Sequence, residues 1–196
     1  MARRNRVSPT GDLFETSHRG TLFGNRGVLH NPNGAIVRRA QVRRWITCEL
    51  QFRGRRRPIM ALGRYTELFF LDEAVALAAG HRPCAECRRA DYLRYRELWP
   101  STEEPLSADA MDRALDAERA LVDGQRRTTS MTNPPHGSFI TVDHEHWLVA
   151  HNQLHLWTPA GYTETRPLPD SPVAVLTPPT TVAILTAGYT PRLNLP

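Results

Sequence analysis

The residues with the clearest chemical potential lie near the middle of the chain. Cys84 and Cys87 form a C-x2-C pair at a turn that precedes a predicted helix. Two thiolates at this spacing lie on one side of a first helical turn, where the helix dipole favours the deprotonated form. A tetrahedral zinc site needs about four such ligands. We therefore predict a zinc site completed by the remaining cysteine, Cys48, and by His81.

Other chemistries for the cysteine pair stay open at this stage. Thiol–disulfide exchange is one, although the alternating parallel strands and helices of thioredoxin-like proteins are absent. Pro83-Cys84-x-x-Cys87 also matches half of the zinc-deaminase signature, but Glu49 directly follows Cys48 and is out of register for the other half. In the simplest alternative, Cys48 is a small buried strand residue and His81 a polar turn residue.

Positive charge is concentrated in the first third of the chain. All 25 basic residues are arginines and the formal net charge is +5, but residues 1–66 carry 14 arginines against Asp12, Glu15 and Glu49, a net of +11. Guanidinium groups match phosphate in geometry and charge, so clustered arginines favour nucleic-acid binding over a merely solvated face. The predicted nucleic-acid-binding residues are Arg38, Arg39, Arg43, Arg44, Arg53, Arg55, Arg56 and Arg57.

A second group of potential metal ligands lies in residues 143–155. It contains Asp143, His144, Glu145 and His146, followed by two further histidines, His151 and His155. Carboxylate and imidazole groups together can form a hydrolytic metal site. No helical H-E-x-x-H spacing is present, so a polar hairpin turn with exposed histidines is the favoured interpretation.

The elements that must position these groups indicate an α+β fold. Asp72 is typical of a helix N-cap and Gly80 of a helix end, and further helices are predicted over 84–99, 107–122 and 182–187. Short strands are predicted before residue 70, including one at 65–70, and in the last third of the chain at 139–142, 147–151, 154–157 and 173–177. The predicted parts are a flexible basic arm (1–20), a zinc-stabilised β-hairpin and helix domain (21–100), a helix and linker (101–136) and a β-rich region (137–196).

The chain also lacks the marks of membrane and secreted proteins. No apolar run reaches the length of a membrane span, and the basic start is not followed by the apolar segment of a signal peptide. Three cysteines are too few for a disulfide-stapled scaffold. These observations favour a cytoplasmic protein with reduced thiols.

Residues 69–88 carry a family resemblance. They read FFLDEAVALAAGHRPCAECR, with a phenylalanine pair, an Ala/Glu-rich helix, Ala-Gly and Arg-Pro-Cys-x-x-Cys-Arg. This run resembles the zinc-binding N-terminal domain of the Ada DNA-repair methyltransferase, and the resemblance extends upstream to about residue 45. The chain departs from the family pattern at Phe52, near the place of a further cysteine, and at His81, where the family has an aromatic residue.

The resemblance implies a function in DNA repair. That family holds zinc with four cysteines and transfers the methyl group of a DNA phosphotriester to one of them, which by residue matching would be Cys48. The leading hypothesis is a zinc-containing protein that binds nucleic acid, most simply DNA, and acts in DNA repair or in recognition of modified DNA. The alternatives are an enzyme that uses Cys48 for alkyl transfer or residues 143–155 for hydrolysis of an anionic substrate, and an interaction scaffold with a structural zinc.

Overall fold

The computed structural model of the chain describes residues 2–55, 58–100, 106–122 and 124–196. Helices and strands follow one another along these ranges without a regular β-α repeat, and most of the strands form two six-stranded sheets. The predicted α+β class is therefore confirmed. None of the described helices is both long and apolar enough to cross a lipid bilayer. The helices are α1 (Glu73–Ala78), α2 (Arg89–Glu97), α3 (Ala108–Glu118) and α4 (Pro179–Thr186).

The first sheet carries the cysteines. Its strands are β1 (Arg6–Val7), β2 (Leu13–Phe14), β3 (Leu22–Asn25), β4 (Ile46–Glu49), β5 (Leu68–Phe70) and β6 (Arg82–Pro83). Their order is β2-β1-β5-β3-β4-β6, with parallel pairing of β1 to β5 and of β4 to β6. The first twenty residues, predicted to form a flexible basic arm, supply β1 and β2 to this sheet, and Val7 is buried in its core.

The second sheet carries the histidines. Its strands are β9 (Thr129–Met131), β10 (Phe139–Val142), β11 (Glu145–Ala150), β12 (Gln153–Thr158), β13 (Gly161–Pro167) and β14 (Val173–Val175). They pair antiparallel in the order β13-β12-β11-β10-β14-β9. A separate ribbon joins β7 (Leu121–Val122) to β8 (Gln125–Arg126), so the helix predicted to reach residue 122 is shorter than expected.

Helix α1 lies at the centre of the molecule, and its ends are where the sequence predicts them. The Asp72 side chain accepts a hydrogen bond from the Val75 amide at 3.0 Å and caps the N-terminus. Gly80 has φ +89°, and the Gly80 and His81 amides each bond back into the last helical turn at 2.9 Å. This paired closure uses a left-handed residue that favours glycine, and it turns the chain directly into β6.

Both sheets share one hydrophobic core around α1. Every residue of α1 is buried, and the helix contacts β5 of the first sheet and β10 of the second. Small alanine side chains let the helix pack against a sheet on each side, where longer side chains would force the layers apart. The two predicted parts, residues 21–100 and 137–196, therefore contribute to one common core. Its members from the second half of the chain are Phe139, Leu148, Ala150, Tyr162 and Leu176.

Candidate metal centre and its cavity

The parallel pairing of β4 with β6 brings the three cysteines together. Thr47 pairs with Pro83, and the Cys84 amide donates to the Thr47 carbonyl at 2.9 Å. Cys48 within β4 and Cys84 directly after β6 therefore lie side by side. The turn before α2 then returns Cys87 to the same place. Among the described residues, these three cysteines are the group that could hold a metal ion, with their sulfurs all within 4.8 Å of one another.

The sulfur geometry suits a tetrahedral metal. Four sulfurs at a Zn–S distance of 2.3 Å lie about 3.8 Å apart. This separation falls within the 4.8 Å limit that contains the three sulfurs of the cluster. Cys48 and Cys84 are 6% and 8% exposed, and Cys87 is half-buried. Three protein ligands from soft thiolates form a donor set that zinc favours, and they leave one tetrahedral position for another ligand.

Hydrogen bonds within the cluster set the charge of the thiols in the absence of metal. The Cys48 and Cys87 thiols and the Glu86 amide donate to Cys84, and together they lower the pKa of Cys84 well below its ordinary value. Hydrogen bonds to Cys84 and Cys87, followed by burial, raise the pKa of Cys48. The cluster thus holds a negative charge on Cys84, in the form that binds metal.

The structure does not place His81 with the cysteines, which corrects its prediction as the fourth ligand. Its ring is fully buried between Phe70 and Trp45, at centroid distances of 4.7 and 5.1 Å. Its Nε2 accepts a hydrogen bond from Arg26 Nε at 3.2 Å. Burial and the neighbouring positive charge of Arg26 lower the pKa of His81 well below its ordinary value, so the ring is neutral. The paired closure of α1 turns this side chain into the core and away from the sulfurs.

Two arginines that flank the cysteine motif hold it in place, and sequence reasoning gave neither of them a role. Arg82 forms a two-pronged ion pair with Asp112 of α3, with both distances 2.8 Å and both side chains buried. This ion pair connects β6, which directly precedes Cys84, to α3.

Arg88 is the second anchor and reaches both halves of the site. Its guanidinium donates to Glu73 at the start of α1 at 2.6 Å and to Thr47, the neighbour of Cys48, at 2.9 Å. It is fully buried and also contacts Asp91 of α2. The signal for both anchors was present in the motif itself, because Arg-Pro-Cys-x-x-Cys-Arg begins and ends with them.

The three cysteines border an open cavity of about 830 Å³. Aromatic and aliphatic side chains from three strands and the following loops form much of its wall, and arginines lie at its edge. The lining includes Phe23, Ile46, Phe52, Arg53, Arg55, Ile59, Tyr65, Glu67 and Phe69.

The two predicted arginine groups lie in different environments. Arg53 and Arg55 line the cavity, where Arg55 pairs with Glu86 at 2.5 Å, while Arg56 and Arg57 lie outside the described residues. In the other group, Arg38, Arg43 and Arg44 are exposed and Arg39 is half-buried. The sequence prediction treats all eight as equivalent, whereas the structure brings only Arg53 and Arg55, among those it describes, to the cavity beside the cysteines.

The histidines of residues 143–155 do not form a metal-binding group, so the hydrolytic site weighed from the sequence is not assembled. Asp143 and His144 are exposed and form the two-residue turn between β10 and β11, both with left-handed φ values of 52° and 67°. His151 lies in the next turn, against His136 at a centroid distance of 5.1 Å. The favoured interpretation of this segment as a polar hairpin turn is confirmed for Asp143 and His144.

Comparison with protein-family models, with curated proteins and with solved structures finds no match for this chain. The case for function therefore rests on the geometry of the cysteine cluster, its anchors and its cavity.

Proposed function

We propose that this protein binds zinc through Cys48, Cys84 and Cys87 and binds nucleic acid, DNA in the first place, at the adjoining cavity. It would act in DNA repair or in the recognition of modified DNA, as the Ada-like motif suggests. The observation that carries the proposal is the position of the three sulfurs in the wall of a cavity that Arg53 and Arg55 border.

The cavity offers both kinds of contact that nucleic acids use. Phe23, Phe52 and Phe69 provide flat rings on which a base can stack. The guanidinium carbons of Arg53 and Arg55 lie 5.0 and 5.4 Å from the Phe52 ring centre, so phosphate donors and an aromatic surface are adjacent. Zinc bound to the three thiolates would fix β4 against the turn before α2 and so shape this wall.

Metal content is the first test of this proposal. Purified protein is expected to carry about one equivalent of zinc, and removal of zinc by a chelator is expected to weaken DNA binding because the cavity wall loses its anchor. A preparation that folds, binds DNA and carries no zinc would refute the metal part.

Salt-dependent DNA binding tests the cavity arginines. Arg53→Ala/Arg55→Ala is expected to weaken binding to a duplex and to lower the slope of log K against log salt by about two, one for each lost phosphate contact. Arg94→Ala/Arg96→Ala on the exposed side of α2 removes the same charge and serves as the matched control. Equal losses in the two variants would mean that net charge, and not the cavity, binds DNA.

Alkyl transfer to Cys48 is a second candidate, favoured by the presence of Cys48 in the cavity wall. The Cys48 thiolate would attack the alkyl carbon of a DNA phosphotriester, form a thioether and release the phosphodiester anion. Mass spectrometry after incubation with methylated DNA would show one added methyl on Cys48. Unmodified Cys48 in zinc-loaded, DNA-bound protein would leave the binding function and refute the transfer.

A further inference from the structure

Four arginines from distant parts of the chain lie close enough together around buried Trp45 and the end of α1 for their charges to act on one another. Arg26 follows β3, Arg39 lies in the loop before β4, Arg119 ends α3, and Arg126 lies in β8. The guanidinium carbons of Arg26, Arg119 and Arg39 lie 3.8, 4.2 and 5.8 Å from the Trp45 ring centre. Arg126 reaches the carbonyls of Ala78 and Ala79, next to the Gly80 carbonyl that Arg119 contacts.

Carboxylates offset little of this charge. Within the described residues, Asp116 is the only acidic residue within ion-pair distance of any of the four, at 3.0 Å from Arg119. Asp12, Asp112 and Glu118 act on them from farther away. Half of their remaining hydrogen bonds go to backbone carbonyls at the C-terminal end of α1, whose helix dipole offsets only part of a positive charge.

Several guanidinium donors in this cluster lack any hydrogen bond. Arg26 is fully buried, yet its Nη2 has no acceptor in the part of the chain that the structure describes. The same holds for Nε and Nη2 of Arg39 and for the Nε atoms of Arg119 and Arg126. Buried donors are normally paired, and unpaired ones are costly, so this set favours binding of an acceptor that the described residues do not supply.

The free donors of Arg26 and Arg39 face one place beside Gly11. A Cβ at Gly11 would lie 3.3 Å from Arg39 Nη2 and 3.6 Å from Arg26 Nη2, so the two amino groups approach the same point. Gly11 has φ +88°, which a side chain would strain, and its carbonyl accepts from Arg26 Nη1 at 2.8 Å. The loop backbone thus approaches the arginines closely and leaves their outer donors without a side-chain partner.

We propose that Arg26, Arg39, Arg119 and Arg126 form a binding site for a small phosphate-class oxyanion, either inorganic phosphate or the terminal phosphate of a small molecule. Planar guanidinium forks match the oxygens of a tetrahedral anion, and several unpaired positive charges favour a doubly charged one. Arg39 is half-buried and forms the solvent side of the site, while Arg26 forms its floor. The burial of Arg26 excludes a bulky ligand from the floor. None of the four arginines lines the DNA-binding cavity of the proposed function, so the two sites are distinct.

Calorimetric titration of the zinc-loaded, full-length protein with sodium phosphate tests the site, with sodium chloride at equal ionic strength as the reference. We expect one phosphate per chain and a thermal unfolding midpoint that rises with phosphate but not with chloride. Binding of phosphate no tighter than chloride would overturn the proposal.

Two neighbouring variants locate the site. Arg39→Gln, which breaks no hydrogen bond within the described residues, is expected to weaken phosphate binding about tenfold or more, as loss of one charged contact does. Arg38→Gln removes the same charge from an exposed neighbour and is expected to leave the affinity within about twofold. Equal effects of the two variants would overturn the proposal. Unchanged zinc content, with an unfolding midpoint in phosphate-free buffer no lower than that of the parent chain, shows that Arg39→Gln is folded.

Competition separates a small ligand from the DNA backbone as the source of the phosphate. A short duplex added at saturation is expected to leave phosphate affinity unchanged. If DNA displaces phosphate and Arg39→Gln weakens DNA binding in parallel, the cluster is part of a DNA surface and the small-ligand site is refuted.

Discussion

The cysteine cluster and the histidine segment show opposite relations between sequence and space. Cys48 lies far from Cys84 in the chain, yet their sulfurs meet because β4 and β6 are adjacent parallel strands. The histidines of 143–155 are close in sequence, yet antiparallel pairing places His146 opposite Thr141 and His155 opposite Leu148. A high density of potential ligands along the sequence is therefore not enough to form a cluster. The cysteines cluster because the register of β4 and β6 places them side by side.

The two regions also differ in how they are held. Buried ion pairs of Arg82 and Arg88 fix the cysteine-bearing elements to α3 and α1. The histidine turn between β10 and β11 carries exposed side chains at left-handed backbone positions. A preorganised donor set needs such fixing, because each ligand must keep its place before metal binds.

The largest expected effect is the loss of metal on substitution of a cysteine. Cys84→Ser is expected to lower bound zinc to below about one tenth of an equivalent, because serine is a poor ligand for zinc. At free zinc 1,000-fold above the dissociation constant, the lost binding also removes about 4 kcal/mol of stability. Atomic absorption and denaturant unfolding measure the two effects.

The control for this variant comes from the histidine segment. His146→Asn is expected to leave the zinc content unchanged. If His146→Asn lowered zinc as far as Cys84→Ser does, the contrast between the two regions would be false.

The next effect tests the anchor of the cysteine motif. Arg88→Met leaves Glu73 as a buried carboxylate without its guanidinium partner, so we expect the free energy of unfolding to fall by about 3 kcal/mol or more. Zinc affinity should fall as well, since Arg88 fixes Thr47 beside Cys48. Arg94→Met breaks only the exposed pair with Glu97 and should cost less than about 1 kcal/mol. Equal costs for the two variants would remove Arg88 from its anchoring role.

Local rules predicted part of this region and missed the rest for a physical reason. The cap at Asp72, the helix end at Gly80 and the C-x2-C turn depend on neighbours in sequence, and the structure confirms the helix ends. The partners Glu73 and Asp112, in contrast, reach the cysteine motif through tertiary packing, which has no periodic signal. His81 was assigned as a ligand because its spacing suited one, and its burial between two aromatic rings depends on strands distant in sequence.

Strand prediction shows the same limit. Phe139–Val142 was predicted with its observed bounds, whereas β13, over Gly161–Pro167, was missed because its polar, threonine-rich sequence lacks apolar alternation. Strands of two residues, such as β1 and β2, are too short to carry any period at all.

The next effect depends on pH and concerns Asp72, which connects α1 to the second sheet. This N-cap of α1 also accepts a hydrogen bond from Tyr162 of β13 at 2.8 Å, and burial raises its pKa from 3.8 to about 6. Because the folded state then holds a proton that the unfolded state releases, the contribution of Asp72 to stability is greatest below about pH 4 and is lost as the pH rises through about 6. The full change is about 3 kcal/mol.

Subtraction isolates the contribution of Asp72. The difference in unfolding free energy between the parent chain and Asp72→Asn should fall with rising pH between 4 and 7. A flat difference for Asp72→Asn would mean that this carboxyl titrates normally in the folded chain.

A smaller effect separates His81 from the metal ligands. His81→Ala leaves a cavity between Phe70 and Trp45 and removes the acceptor of Arg26 Nε, so we expect a loss of about 2 kcal/mol in stability. Zinc content should stay at about one equivalent below the unfolding transition. If zinc were lost from the folded variant while Cys84→Ser retained it, His81 and not the cysteine would be the metal ligand.

The smallest expected effect is a gain of stability in the histidine turn. His144 has φ +67° in a two-residue hairpin loop, and glycine adopts this conformation without steric cost. His144→Gly is therefore expected to raise the free energy of unfolding by about 0.5 kcal/mol, whereas the β-branched His144→Val should lower it by about 1 kcal/mol. Both variants should keep their full zinc content. If His144 were a metal ligand, both variants would lose bound metal to the same extent, whatever the backbone preference of the new residue. Measuring metal content and unfolding free energy in both variants therefore decides whether His144 is a turn residue or a ligand.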